Sequence, residues 1–111
     1  DNKDWRAAVR QDGLTIRGAH PPLGGPLSLA VTFHLLRPKH HLRSNGKIKG
    51  AAPPYPVTRP DSTKLLRALE DALTGVLWLD DAHVVEQRVR KIYTDRVGAE
   101  VVVAEMDEGG D

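Results

Sequence analysis

Residues 27–35 constrain the fold more than any other part of this chain. Leu27, Leu29, Val31, Phe33 and Leu35 alternate with Ser28, Ala30, Thr32 and His34. Successive side chains of a β-strand point to opposite faces, so this period of two predicts a strand with one buried face. An amphipathic helix able to cover such a face follows at residues 60–75. There Leu65, Leu69, Ala72 and Leu73 recur at helical spacing with Leu66 and Ala68 beside them, while Lys64, Arg67, Glu70 and Asp71 fall on the other side. Pro60 suits a first helical turn, Asp61 and Ser62 are nearby capping groups, and Gly75 is placed to stop the helix.

The remaining chain divides around these two elements. Trp5 to Val9 reads as the last turns of an amphipathic helix closed at Gly13. Residues 18–26 are too rich in Gly and Pro for a regular element and predict a loop. Residues 84–94 predict a second strand, with Val85, Val89 and Tyr93 on one face and Glu86, Arg88 and Arg90 on the other. A turn at 95–98 then returns the chain as an antiparallel strand over 99–106, and 107–111 form a polar, frayed tail. The sum is one α+β domain over residues 1–111, a small mixed or antiparallel sheet packed on a central helix. No cysteine is present, which excludes disulfides and zinc–thiolate sites. The apolar runs are too short to span a bilayer and nothing resembles a signal peptide, so a cytoplasmic protein with no membrane partner is the default expectation.

A formal net charge of +1 hides a strong asymmetry. Residues 13–60 contain seven Lys or Arg and no acid, whereas residues 61–111 contain six basic side chains against twelve acidic ones. Six of the cations, Arg37, Lys39, Arg43, Lys47, Lys49 and Arg59, fall in or just after a Pro-rich stretch without hydrophobic period, residues 37–58. A structureless loop that long is uncommon in a small domain and is usually functional or mobile. Two readings stay open: a footprint for the phosphates of nucleic acid, or a soluble loop in a fold whose halves complement each other. His40 and His41 are adjacent and make poor chelators.

Carboxylates flank the predicted helix, Asp61 at its start and Asp80 and Asp81 beyond its end. Mg²⁺ takes oxygen ligands in octahedral geometry, commonly one or two carboxylates plus water and substrate phosphate. These three aspartates can serve one ion only if the chain after Gly75 doubles back along the helix, with Val76, Leu77 and Trp78 packed under it. Solvated turn carboxylates are the plainer alternative.

The wording of these segments adds to their spacing. Pro60-Asp61, Leu65, Arg67-Ala68, Asp71-Ala-Leu-Thr-Gly75 and Trp78-Leu-Asp80-Asp81-Ala82-His83-Val84-Val85 resemble the RusA family of Holliday junction resolvases. That family's pattern runs approximately Pro-Asp-x-Asp-Asn-x-x-Lys, then Asp-Ala-Leu, then Asp-Asp-x-Gln-Val-Val. The resemblance covers roughly residues 26–105, including Arg37-Pro38-Lys39 after the strand. It implies a homodimer that binds four-way DNA junctions and cuts two strands with Mg²⁺ or Mn²⁺, leaving 5′-phosphate and 3′-hydroxyl ends. Carried over by position, Asp61 and Asp81 are catalytic carboxylates and metal ligands with Asp80 beside them, and Arg67 takes the place of a catalytic lysine. Lys64 joins Arg37, Lys39, Arg43, Lys47, Lys49 and Arg59 as a substrate contact.

Departures from the family pattern are specific. Thr63 stands where the family has its second aspartate and Lys64 where it has asparagine. Arg67 forks onto a phosphate as a fixed cation but is too basic to give up a proton. His83 replaces the usual glutamine. The family usually opens with a strand and a basic Gly/Pro segment before the first helix, so an incomplete sheet edge is expected here. Three functions follow in order: a metal-dependent junction endonuclease, a DNA-binding relative weakened at Thr63, and an assembly module with charge-complementary halves.

Overall fold

The computed structural model describes residues 2–106, so the expected tail at 107–111 lies outside the described residues. Five main elements follow in order: helix α1 (Asn2–Arg17), strand β1 (Leu27–Leu35), helix α2 (Ser62–Leu73), and strands β2 (Val84–Tyr93) and β3 (Gly98–Glu105). β1 lies in the middle of a mixed sheet, parallel to β2 and antiparallel to β3. Both helices cover one face. Leu27, Leu29, Val31 and Phe33 meet Leu66, Leu69, Leu73 and Trp78 there, with Trp5 and Val9 of α1 packed alongside. Fully burying such a side chain contributes about 1.5–3 kcal/mol, so this seam accounts for most of what holds the layers together. The α+β class and the mixed sheet on a central helix are as the sequence implies.

Several local expectations give way. α1 does not close at Gly13 but runs to Arg17 and ends at Gly18, whose φ of +59° favours glycine. Gly13 is there because α2 lies against it: a Cβ at this position would stand 2.8 Å from Leu73 Cδ2. The buried line of α2 runs through Leu66, Leu69, Ala72 and Leu73 rather than Leu65, which is only partly covered. Pro60 precedes the helix instead of opening it; Asp61 is the N-cap residue and Ser62 the first helical one.

The strand pairings also differ in detail. β3 does return antiparallel, but it pairs with β1 and not with β2. Period-two patterning assigns faces, not neighbours, and Val31 offers its two edges equally to Val89 and Val101. Val85 does not share the inner face. The register shifts between Leu27 and Ser28, so Leu27 pairs with Val84, Ser28 with Glu86, and Val85 is the extra, exposed residue of a bulge. His34, on the outer face of β1, is nonetheless 7% exposed, because Thr94 meets its Nδ1 and the Glu100 carboxylate its Nε2. Among the described residues, neither β2 nor β3 has a second strand neighbour. No described helix is long and apolar enough to cross a membrane.

Candidate active site

Residues 37–58 are more ordered than their composition suggests. A 3₁₀ turn at Lys39–His41 leads into a tight hairpin, where the Arg43 N–H donates to the Lys47 carbonyl at 2.7 Å and Leu42 bridges Ile48. Gly46 adopts φ +85° at its tip, and Asn45 Oδ1 accepts the Lys47 N–H. The Lys49 N–H donates to the His41 carbonyl at 2.8 Å, closing the unit. Arg43, Lys47 and Lys49 are thereby gathered on one exposed feature, with Lys39 just before it.

Arg37 behaves differently from the other cations. Its guanidinium lies 4.5 Å from the Tyr93 ring centroid, donates to the Pro53 carbonyl at 2.8 Å and contacts His41 Nδ1 at 3.4 Å. His41 packs edge-on against Tyr93 and is 7% exposed. Burial, then the neighbouring His40, Arg37 and Lys49, hold its pKa below the usual histidine value. Arg37 therefore anchors the hairpin to the end of β2, whereas Lys39, Arg43, Lys47, Lys49, Arg59 and Lys64 remain exposed to a ligand.

Asp61 is exposed and its carboxylate makes no capping hydrogen bond. The segment leading to it is pinned to β2, since Lys91 Nζ donates to the carbonyls of both Thr58 and Pro60 at 2.9 Å. Thr63, Lys64 and Arg67 follow on the exposed side of α2. Lys91 carries no local mark in the sequence, because a lysine in a strand looks like an ordinary solvent charge.

Asp80 and Asp81 sit elsewhere. The chain does reverse after Gly75, at φ +84°, but the reversal is tight. Trp78 Nε1 donates to Thr74 Oγ1, the Gly75 N–H donates to the Trp78 carbonyl, and the Leu79 N–H donates to the Leu23 carbonyl. These bonds send the chain straight into β2 at the far end of α2. Asp61 stands at the N-cap of the 12-residue α2, whereas Asp80 and Asp81 follow the reversal beyond its C-cap. Among the described residues, no three His, Asp or Glu side chains converge as a metal-holding group.

Asp81 instead neighbours Glu70, which sequence reasoning placed on the solvent side of the helix. Burial raises the Glu70 pKa, with Asp81 and Asp71 adding to it and the Gln87 Nε2 donor, 2.6 Å away, opposing. Asp80 caps the short turn Asp81–His83 by accepting the Ala82 N–H at 2.9 Å. That bond, and a second with Asp81, lower its pKa. His83 Nδ1, beside this pair, is buried with no hydrogen-bond partner among the described residues. Two neighbouring carboxylates suit a hard divalent cation, which needs only one or two from the protein, whereas an imidazole nitrogen is a softer donor that adds nothing for such an ion. The donor set at this end of α2 fits the ion; the set at the Asp61 end supplies one carboxylate.

The domain is small and α+β, with exposed acids at both ends of one helix and a cationic hairpin beside the sheet. The family model described as Endodeoxyribonuclease RusA matches residues 1–104, and the chain belongs to that family. It is also 31% identical over 84 residues to the uncharacterized protein YqaN of Bacillus subtilis (strain 168), a match covering 74% of this chain and 59% of YqaN. The chain thus spans less than two thirds of the length of that relative.

Proposed function

We propose that this protein is a Mg²⁺-dependent endonuclease, with Mn²⁺ as a substitute, that resolves four-way and other branched DNA as a homodimer. The observation that carries the reading is the family match over residues 1–104. Of the three aspartates, Asp80 and Asp81 would hold the ion within one chain, with Asp61 at the other end of α2; a bound ion would neutralise the scissile phosphate and lower the pKa of an attacking water. Arg67 contributes a permanent cation for the phosphate from the exposed side of α2. Arg43, Lys47 and Lys49 on the hairpin, with Lys39, Arg59 and Lys64, bind flanking phosphates, giving an affinity that falls steeply with salt and depends little on sequence. The setting is the cytoplasm of a bacterial or phage-infected cell.

Thr63 favours a second reading, a junction-binding relative with weakened cleavage. It occupies the first turn of α2, two residues after Asp61, and brings no charge to the position. A labelled four-way junction incubated with Mg²⁺ or Mn²⁺ separates the two. Paired nicks support the first; binding without nicks under either metal sinks it. Thr63→Asp combined with Lys64→Asn then restores or strongly raises cleavage if the second reading holds, and leaves it unchanged if it does not.

A further inference from the structure

Residues 53–60 lead from the cationic hairpin to Asp61, and Pro53, Pro54, Pro56 and Pro60 make up half of them. The segment forms no helix or strand, yet it is fixed to the fold at its start, middle and end. At the start the Arg37 guanidinium donates to the Pro53 carbonyl at 2.8 Å. At the end Lys91 Nζ donates to the Thr58 and Pro60 carbonyls. Between these anchors Pro56 is buried, lining one recess with Leu35, Pro38 and Tyr93.

The residues on either side of that buried proline are left in solvent. Tyr55 is 63% exposed and Val57 77%. Of the described Phe, Trp and Tyr side chains, Tyr55 is the one that stands largely outside the fold. Single exposed apolar side chains are ordinary on a protein surface. This pair is different in being carried by a proline-stiffened, anchored segment, so little conformational freedom is left to lose when something covers it.

Charge specifies the kind of ligand. Arg43, Lys47 and Lys49 precede the pair on the hairpin, Arg59 and Lys64 follow it, and residues 13–60 contain no acid. A rigid aromatic face among cations fits a polyanion that itself has aromatic faces, which is nucleic acid. Within a continuous duplex each base face is covered by its neighbours in the stack. A branch point interrupts the stack and leaves base faces open.

We propose that Tyr55, flanked by Val57, is the element that distinguishes branched DNA from continuous duplex: its ring stacks on a base left open at the branch while the surrounding cations hold the adjoining phosphates. Phosphate contacts carry no information about the bases, whereas an apolar side chain set against an interrupted base step does respond to the break. This inference deepens the branched-DNA reading and rests on it for the ligand, but the stack needs neither metal nor cleavage.

Binding to a labelled immobile four-way junction and to a linear duplex of the same arm sequence tests it, in EDTA and at one fixed salt concentration. Tyr55→Ala should weaken junction binding about 5- to 150-fold, the loss that goes with one base–aromatic stack, and leave duplex binding nearly unchanged. Tyr55→Trp should keep the preference for the junction, and Tyr55→Leu, apolar but without a ring face, should lose it. Lys47→Ala, by contrast, should weaken both ligands alike. Because Tyr55 is largely in solvent, its variants should share the wild-type urea midpoint, which separates a lost stack from a lost fold.

Equal losses for junction and duplex, no loss for either, or full rescue by leucine overturns the proposal, as does a wild type without preference for the junction. Cleavage is read separately. A junction preference that vanishes in Tyr55→Ala, in a wild type that nicks under neither Mg²⁺ nor Mn²⁺, leaves the stack standing and removes the endonuclease reading. Nicking by wild type, with the preference intact in Tyr55→Ala, does the reverse.

Discussion

Replacing Gly13 by alanine measures how closely α1 and α2 pack. At an unobstructed position inside a helix, Gly→Ala stabilises by about 1 kcal/mol, because the unfolded chain loses more freedom than the folded one. Gly13 is obstructed. The new Cβ would lie 2.8 Å from Leu73 Cδ2 and 3.0 Å from Val76 Cγ1. Leu73 is 2% exposed and Val76 is fully buried, so neither methyl can swing into solvent, and Val76 is also stiff at χ1. Overpacking of this kind costs about 1–3 kcal/mol. Subtracting the propensity gain, Gly13→Ala should leave the protein between unchanged and about 2 kcal/mol less stable. Urea unfolding reads the difference, with the m-value as a check that the native and denatured states have not changed. Ala7→Gly, at an exposed position of α1, calibrates the propensity alone at about 1 kcal/mol. Were Gly13→Ala to stabilise by that full amount, α1 would not lie in contact with Leu73 and Val76, and the packing account would be wrong.

Other expectations follow from the ionisable groups. Burial raises the pKa of Glu70, so above its ordinary value of 4.5 the folded state holds the proton more tightly than the unfolded state and ionisation opposes folding. Glu70→Gln should therefore stabilise at neutral pH and change little below pH 4.5, measured by unfolding across a pH series; greater destabilisation at neutral pH would contradict it. His41 carries the opposite sign: its lowered pKa gives stability that is present above pH 6.5 and lost as pH falls below it. Thermal unfolding between pH 7.5 and 5.5 should show wild type losing stability faster than His41→Gln, and parallel curves would count against a buried neutral imidazole. Tyr93→Leu removes the ring beneath Arg37, worth about 1 kcal/mol, and should speed amide exchange at Lys49, whose N–H is bonded to His41. Unchanged exchange there would show that the hairpin is held by something else.

Much of the fold was legible because it follows from local periodicity. Leu27, Leu29, Val31 and Phe33 are the buried face of β1, and Gly75 terminates α2 as its position implied. What escaped was set by partners distant in sequence. Gly13 looks like a helix stop until Leu73 is known to lie against it. Val85 looks like a core residue until the register shift makes Val84 the partner of Leu27. The candidate site divides in the same manner. Motif wording identified Asp61, Asp80 and Asp81, but their separation depends on the tight bonds around Trp78 and on parallel pairing of β1 with β2. Glu70 and Lys91 carry no local mark at all; only the fold shows Gln87 reaching one and the Thr58 and Pro60 carbonyls receiving the other. Nothing in the residues around Arg37 distinguished an anchor from a phosphate contact until Tyr93 was seen under it.

The free edge of β3 has a colloidal consequence. Among the described residues, 99–104, Ala-Glu-Val-Val-Val-Ala, have no strand partner on their outer side, with high strand propensity and Val102 largely exposed. Such an edge is a template for edge-to-edge growth, and the usual protection is charge placed along it. Here that protection comes from Glu100 and Glu105. Replacing both by uncharged residues should make this protein aggregate through β3 even while the core beneath it remains folded. A lysine at Val102 would act as a gatekeeper in their place.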